Sequence, residues 1–341
     1  MHARIAGHGA GAQDWSLHKG DGFMPRTART QLCRRILVAL RDPSRVPRAQ
    51  LKKAARLARL AGASIELFHA IGVVRVPGPD SIAVKAKRGL ERLSRLPCFT
   101  GLKITSHMVW DYPPHEAVVR RILETRADFV VAASVTHGLG RRLLLENTDW
   151  ELIRHCPVPL LFVKSARDYA RPAVLAALDP FHAHAKPAAL DARLLARGAE
   201  VARLLRGRLH AFHAYLPLVI NMLVPIDQGP IWLPREVEEA HAVATERAFN
   251  RLAQSAGIPP ARRHLTIGDV PERLVATVRH SGAEIVVMGA VSRSGLKRLF
   301  IGSTAERVLD ALRCDVLIVK PRGFATRIPR RQSPFASPTL Y

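Results

Sequence analysis

Two short segments in the second half of the chain carry residue types that are suited to bind a nucleotide. Asp179 follows the apolar run 174–178, and its carboxylate can accept hydrogen bonds from an adenine amino group or a ribose hydroxyl, or hold a metal. The second segment supplies the other candidates: Gly289, Ser292, Gly302, Ser303 and Thr304. Glycine lets the backbone approach a phosphate chain closely, and the N–H groups at a helix start attract anions. The two segments predict a site for ATP or a related adenine nucleotide, with Mg²⁺ only as the ion that accompanies it.

The same residues also have an ordinary structural explanation. Asp179 with Pro180 forms a favourable turn sequence. Ser303 has Glu306 three residues later, which is the spacing of a capping box. The spacing alone therefore leaves open whether these residues bind a ligand or only shape the backbone.

The usual signatures of an enzyme are missing from the sequence. It contains neither a G-x-x-x-x-G-K-[ST] phosphate loop nor a G-x-S-x-G nucleophile elbow. The cysteines are scattered and form no C-x-x-C pair, so we expect buried thiols: Cys33, Cys98, Cys156 and Cys314. His182 and His184 lack a supporting cluster of ligands, so no metal site is predicted. We expect a non-enzymatic protein; slow ATP hydrolysis that uses Asp179 is the catalytic alternative.

An internal repeat supplies the strands and helices that must position these residues. The apolar runs 36–40 and 174–178 are each followed by Asp-Pro, and each copy then carries the same Phe-His-Ala tripeptide, at 68–70 and 212–214. Apolar strands alternate with amphipathic helices throughout both copies, which is typical of a parallel sheet covered on both faces. The repeat predicts two tandem, doubly wound, parallel five-stranded sheets flanked by helices. A ligand would bind at the carboxyl ends of the strands, where the strand order reverses.

The repeat also predicts the domain boundaries. We expect an N-terminal extension at residues 1–30, a first domain at 31–166, a second domain at 170–321 and a basic flexible tail at 322–341. Neither a secretory signal nor an apolar run long enough to span a membrane is present. The sequence therefore predicts a soluble, cytoplasmic protein without a membrane partner.

The strong positive charge raises a different class of function. Lys and Arg number 52 against 28 Asp and Glu, a formal net charge of +24, and such an excess favours anionic partners. A cationic stripe runs along the first predicted helix: Arg45, Arg48, Lys52, Arg56 and Arg59. Only 6% of the residues are aromatic, so a platform for stacking bases is not indicated. A basic protein that associates with nucleic acid is the alternative, and a solvated helix face is the simpler interpretation of the stripe.

The residues 285–320 resemble the universal stress proteins, especially the tandem, E-type members of that family. The family's ATP-binding pattern is Gly, two residues, Gly, nine residues, Gly, then Ser or Thr; Gly289, Gly302 and Ser303 match it, while Ser292 replaces the second glycine. The corresponding glycine positions of the first copy hold Ala133, Thr136 and Glu146.

The resemblance has several implications for function. It implies a cytoplasmic stress-response protein whose domains pair through their last strands, either within one chain or in a homodimer. Some members of the family bind ATP and others do not. The departures from the glycine pattern imply that the first copy binds no nucleotide and that the second binds one weakly.

Overall fold

The parallel sheet of the first half is built from residues 33–163. The computed structural model describes residues 33–72, 79–133, 147–181, 189–217, 234–289 and 303–331. The elements of the first half are β1 (Arg35–Leu40), α1 (Arg48–Ala61), β2 (Ser64–Ile71), α2 (Pro79–Ser94), β3 (Ile104–Trp110), α3 (Pro114–Thr125), β4 (Phe129–Ala133), α4 (Asn147–His155) and β5 (Leu160–Val163).

The second half repeats this order of strands and helices. Its elements are β6 (Ala173–Ala177), α5 (Leu190–Leu204), β7 (Arg208–Tyr215), α6 (Arg235–Ser255), β8 (Arg263–Ile267), α7 (Val270–Ser281), β9 (Ala283–Gly289), α8 (Ser303–Ala311) and β10 (Asp315–Val319). Each strand run predicted from the sequence lies on one of these strands. The predicted α/β fold with tandem copies is confirmed.

The two five-stranded halves form one continuous ten-stranded sheet. The strand order is β3-β2-β1-β4-β5-β10-β9-β6-β7-β8, and neighbouring strands are parallel within each half. The last strands β5 and β10 are antiparallel, with Val316 opposite Phe162. This pairing occupies the backbone hydrogen-bonding groups that each half would otherwise leave open at its edge. Pairing between two copies of the chain stays a prediction.

Apolar side chains form one layer on each face of this sheet. One layer combines Ile36 and Val38 of β1 with Val174 and Ala176 of β6. The other layer contains Leu37 and Leu175 from the same strands, because successive side chains of a strand point to opposite faces. Each apolar layer thus contains residues of both halves of the sheet.

The segment that joins the halves is tied to this core. The predicted bounds of the two domains, 166 and 170, fall within this segment. Tyr169 in this segment is 2% exposed, and its hydroxyl group donates a hydrogen bond to the Asp315 carboxylate. The predicted extension at 1–30 and the end of the tail, 332–341, lie outside the described residues. Within the described part of the tail, Ile328 is buried against the second apolar layer.

Candidate functional site

The strand order reverses once in each half, and Asp179 and Gly289 lie at the reversal in the second half. In the second half, β6 is flanked by β7 on one side and β9 on the other. Because β6 and β9 are parallel, with Ala176 opposite Val287, their carboxyl ends lie at the same edge of the sheet. Asp179 follows β6 and Gly289 ends β9, so the fold brings the two predicted segments to one crevice.

Asp179 lies at the exposed end of this crevice. Its backbone N–H donates to Oδ1 of Asp191 at 3.2 Å, and Asp191 lies buried in the first turn of α5. The hydrogen bond fixes the backbone between β6 and α5, while the Asp179 residue itself is exposed to solvent. An exposed carboxylate on a fixed backbone is suited to accept hydrogen bonds from a ligand.

Gly289 has a packing role that the sequence did not reveal. A Cβ atom at this position would lie 2.8 Å from Cδ2 of Leu190, and Leu190 is a buried residue at the start of α5. The glycine therefore lets the first turn of α5 approach the end of β9. This close approach accounts for a glycine here whether or not a phosphate also approaches the backbone.

The helix that follows the glycine-containing segment is α8. Ser303 is its first residue, and Thr304 lies half-buried in its first turn. The backbone N–H groups and the dipole at the start of a helix favour a negative charge. Glu306 in the same turn forms an ion pair with Arg154 at 3.5 Å, which offsets its charge. Ser292 and Gly302 lie outside the described residues.

A repeated histidine contact in both crevices was missed by the sequence reasoning. Nδ1 of His213 lies 3.0 Å from the carbonyl oxygen of Leu178, and Nδ1 of His69 lies 3.0 Å from that of Leu40. A carbonyl oxygen only accepts, so Nδ1 carries a proton in each ring. In the neutral form of His69, Nε2 is then the acceptor. Burial lowers the pKa of His69, although the Leu40 carbonyl and Asp42 oppose that shift. The shared Phe-His-Ala tripeptide was the available signal.

The cationic stripe on α1 is largely occupied by contacts within the protein. Lys52 pairs with Asp168 at 3.2 Å, Arg56 donates to the carbonyl of Ala170 at 3.2 Å, and Arg59 donates to that of Cys98 at 2.9 Å. These contacts tie α1 to the link between the halves and to the segment before β3. They give the stripe a structural role, and the nucleic-acid alternative gains no support from it.

The cysteine thiols and the possible metal ligands give no sign of a reactive centre among the described residues. The pKa values of the Cys33, Cys156 and Cys314 thiols are each raised to about 12, chiefly by burial, so these are not reactive thiolates at neutral pH. Among the described residues, no three His, Cys, Asp or Glu side chains gather as metal ligands. None of the helices in the described ranges has the length and apolarity needed to cross a bilayer.

Comparison with known proteins assigns the family. A model described as the universal stress protein family matches residues 33–164 and 176–320. The chain belongs to the universal stress protein family. The two matches coincide with the two halves of the sheet, so the tandem arrangement is confirmed as well.

A relative of known sequence agrees with this assignment. Universal stress protein E of Escherichia coli strain K12 is 31% identical over 235 residues, covering 67% of this chain and 72% of the relative. A universal stress protein from Archaeoglobus fulgidus DSM 4304 covers 85% of this chain and 99% of its own, with a TM-score of 0.62 and 16% identity. At that identity the likeness establishes the fold alone. Another Archaeoglobus fulgidus universal stress protein, solved in complex with dAMP, covers 38% of this chain at 22% identity and a TM-score of 0.31.

Proposed function

We propose that this tandem universal stress protein acts by binding ATP or a related adenine nucleotide weakly in its second half, without catalysing a reaction of its own. The observation that carries the proposal is that Asp179 and Gly289 lie at the carboxyl ends of two neighbouring parallel strands, where the strand order reverses. Doubly wound sheets bind their ligands at this position. The α8 N-terminus, which begins with Ser303 and Thr304, follows the glycine-containing segment and is suited to receive phosphate.

The sequence differences between the copies support a site in the second half and none for nucleotide in the first. The second copy keeps Gly289, Gly302 and Ser303 of the family's ATP pattern. The first copy has Ala133 and Glu146 at glycine positions. A carboxylate at the start of the phosphate-facing helix repels phosphate, so the nucleotide is expected in one half only.

Calorimetric titration of Mg-ATP into the full chain tests the proposal. The parent protein is expected to release heat, and Gly302→Glu is expected to bind at least about tenfold more weakly, because a carboxylate beside a phosphate is strongly unfavourable. Ala311→Glu is the matched control, since it adds the same charge at the exposed far end of α8 and should bind like the parent. Absence of heat with the parent, or equal binding by Gly302→Glu, would overturn the proposal.

The absence of catalysis has its own test. Prolonged incubation with Mg-ATP is expected to release no more ADP than a heat-inactivated sample. Release above that background that disappears in Asp179→Asn would instead support the hydrolase alternative, because Asp179 is the residue which that alternative requires.

A further inference from the structure

The first half contains a cavity at the strand ends that the proposed nucleotide site does not use. Its volume is about 800 Å³, within the usual range for a pocket that encloses a small molecule. It opens beside the ends of β1 and β2, and α2 forms its outer wall. Pro114, at the start of α3, closes one side.

The floor and walls of the cavity are mainly apolar. Pro43, Ile71, Ile82 and Ala86 line it, and Ile71 and Ala86 are buried. Burial of an apolar ligand surface against such walls supplies most of the binding free energy in small-molecule pockets. The occupant should therefore have an apolar body.

Two acceptor side chains, Asp42 and His69, line the cavity near the ends of β1 and β2. Asp42 accepts hydrogen bonds at Oδ1 from the backbone N–H of Ser44 at 2.8 Å and from its hydroxyl at 2.7 Å. Burial raises the pKa of Asp42, but the Ser44 hydrogen bonds, with His69 and Arg45, outweigh it and hold the pKa below its ordinary value. His69 also lines the cavity, with Nδ1 bonded to Leu40 and Nε2 left as the ring acceptor. A hydrogen-bond donor on the ligand would match these two side chains.

The outer rim is cationic. Lys85, Arg88 and Arg92 all line the cavity, and their spacing of three and four residues places them along one face of α2. All three are exposed, and Arg92 also donates to the carbonyl oxygen of Pro43 at 3.3 Å, which leaves its charge unpaired by any acid in that contact. Neighbouring like charges destabilise a helix slightly, and an anion at the rim would relieve that repulsion. Arg41, the remaining cation of the lining, is paired with Asp149 at 2.6 Å and is not counted among the rim charges.

We propose that this cavity binds an amphipathic organic anion: a molecule with a hydrogen-bond donor at the end that meets Asp42 and His69, an apolar ring or chain, and a phosphate, sulfonate or carboxylate at the end that meets α2. The negative group is bound by the side chains of α2. This differs from the nucleotide site proposed for the second half, where a glycine-containing segment and a helix N-terminus receive the phosphates. The first half thus has a ligand site of its own despite having lost the glycines.

Fluorescence titration with 8-anilinonaphthalene-1-sulfonate, an aromatic amine that carries a sulfonate, tests this proposal on the full chain. The parent is expected to bind the probe, and Arg88→Glu to bind it at least about fivefold more weakly, because the substitution replaces attraction with repulsion at the rim. Lys87→Glu is the matched control. Lys87 is exposed on the same helix but does not belong to the lining of the cavity, so the affinity should stay within about twofold of the parent.

Competition identifies which part of the ligand is recognised. Phenyl phosphate is expected to displace the probe, while phenol and inorganic phosphate, which each supply only one of the two features, are not. Gly302→Glu should bind the probe like the parent, and this result separates the cavity from the nucleotide site. The proposal is overturned if the parent does not bind the probe, if Arg88→Glu binds as tightly as the parent, if Lys87→Glu weakens binding equally, or if inorganic phosphate competes as well as phenyl phosphate.

Discussion

Replacing Asp315 by asparagine should weaken the joint between the two halves more than any surface change. Both Asp315 and Lys53 are almost completely buried, and Nζ of Lys53 lies 2.5 Å from Oδ2 of Asp315. Oδ1 accepts from the backbone N–H groups of Lys164 at 2.9 Å and Ser165 at 2.8 Å. The hydroxyl group of Tyr169 donates a hydrogen bond to the same carboxylate. One side chain of β10 is thus bonded to α1, to the end of β5 and to the link.

The magnitude follows from what each substitution leaves behind. In Asp315→Asn the Lys53 ammonium stays buried with the Ser165 carbonyl, 2.7 Å away, and without its counter-charge. Breaking a buried ion pair from one side costs about 3–5 kcal/mol, a large part of the roughly 5–15 kcal/mol of a typical domain. In Lys53→Met the carboxylate keeps its other hydrogen-bond donors, so we expect a smaller loss, about 1–3 kcal/mol.

Urea unfolding followed by circular dichroism measures these free energies. The double variant Lys53→Met/Asp315→Asn should be more stable than the sum of the single losses predicts, with a coupling of at least about 1 kcal/mol. The exposed pair Lys52–Asp168, on the same helix and the same link, is the matched control; its removal should cost at most about 1 kcal/mol. If Asp315→Asn costs no more than this control, or if the double variant is additive, the reasoning is refuted.

Three further changes have defined outcomes in the same unfolding assay. Burial, with His264 nearby, lowers the pKa of His210 to about 4. Histidine in the unfolded chain binds a proton near pH 6.5, so the free energy of unfolding falls as the pH drops from 6.5 to 4. His210→Gln should remove up to about 3 kcal/mol of that fall. If the pH dependence of the unfolding free energy is unchanged in this variant, the prediction is wrong. Burial lowers the pKa of Lys320 to about 8, so Lys320→Met should stabilise the protein by about 1–3 kcal/mol at pH 7. That gain should shrink as the pH rises from 8 to 10.5, and a constant gain would contradict it. Gly289→Ala should lower the free energy of unfolding by about 1–3 kcal/mol, because the added methyl group is too close to Leu190. In a protein that already carries Leu190→Ala, the same substitution should cause no such loss.

The fold was largely predictable because the sequence contains the same order of strands and helices twice. The apolar runs before Asp42 and Asp179 and the two Phe-His-Ala tripeptides identify corresponding strands without any knowledge of their contacts. Continuous apolar runs separated by amphipathic helices leave few alternatives to a doubly wound sheet. The resemblance implied that the last strands pair, but the apolar runs alone do not define the register of β5 against β10, which has Val316 opposite Phe162.

The roles of single side chains were less predictable, because neighbours distant in sequence decide them. Lys52 and Lys53 are adjacent and look equivalent in the sequence, yet Lys52 is exposed and Lys53 is completely buried against Asp315, 262 residues later. Gly289 illustrates the same limit: the close approach of Leu190 and the approach of a phosphate both require glycine. The cationic rim of the cavity in the first half was not predicted, because Lys85 and Arg88 belong to a helix with no recognisable motif.

Photolabelling with 8-azido-ATP and Mg²⁺, followed by mass spectrometry of the digested chain, tests the central claim most directly, because it reports which half holds the nucleotide. We expect labelled peptides from the second half, at the strand ends around Asp179 or Gly289, and protection of these peptides by excess ATP. Label that is confined to residues 33–164, or label that excess ATP does not remove, would contradict the account.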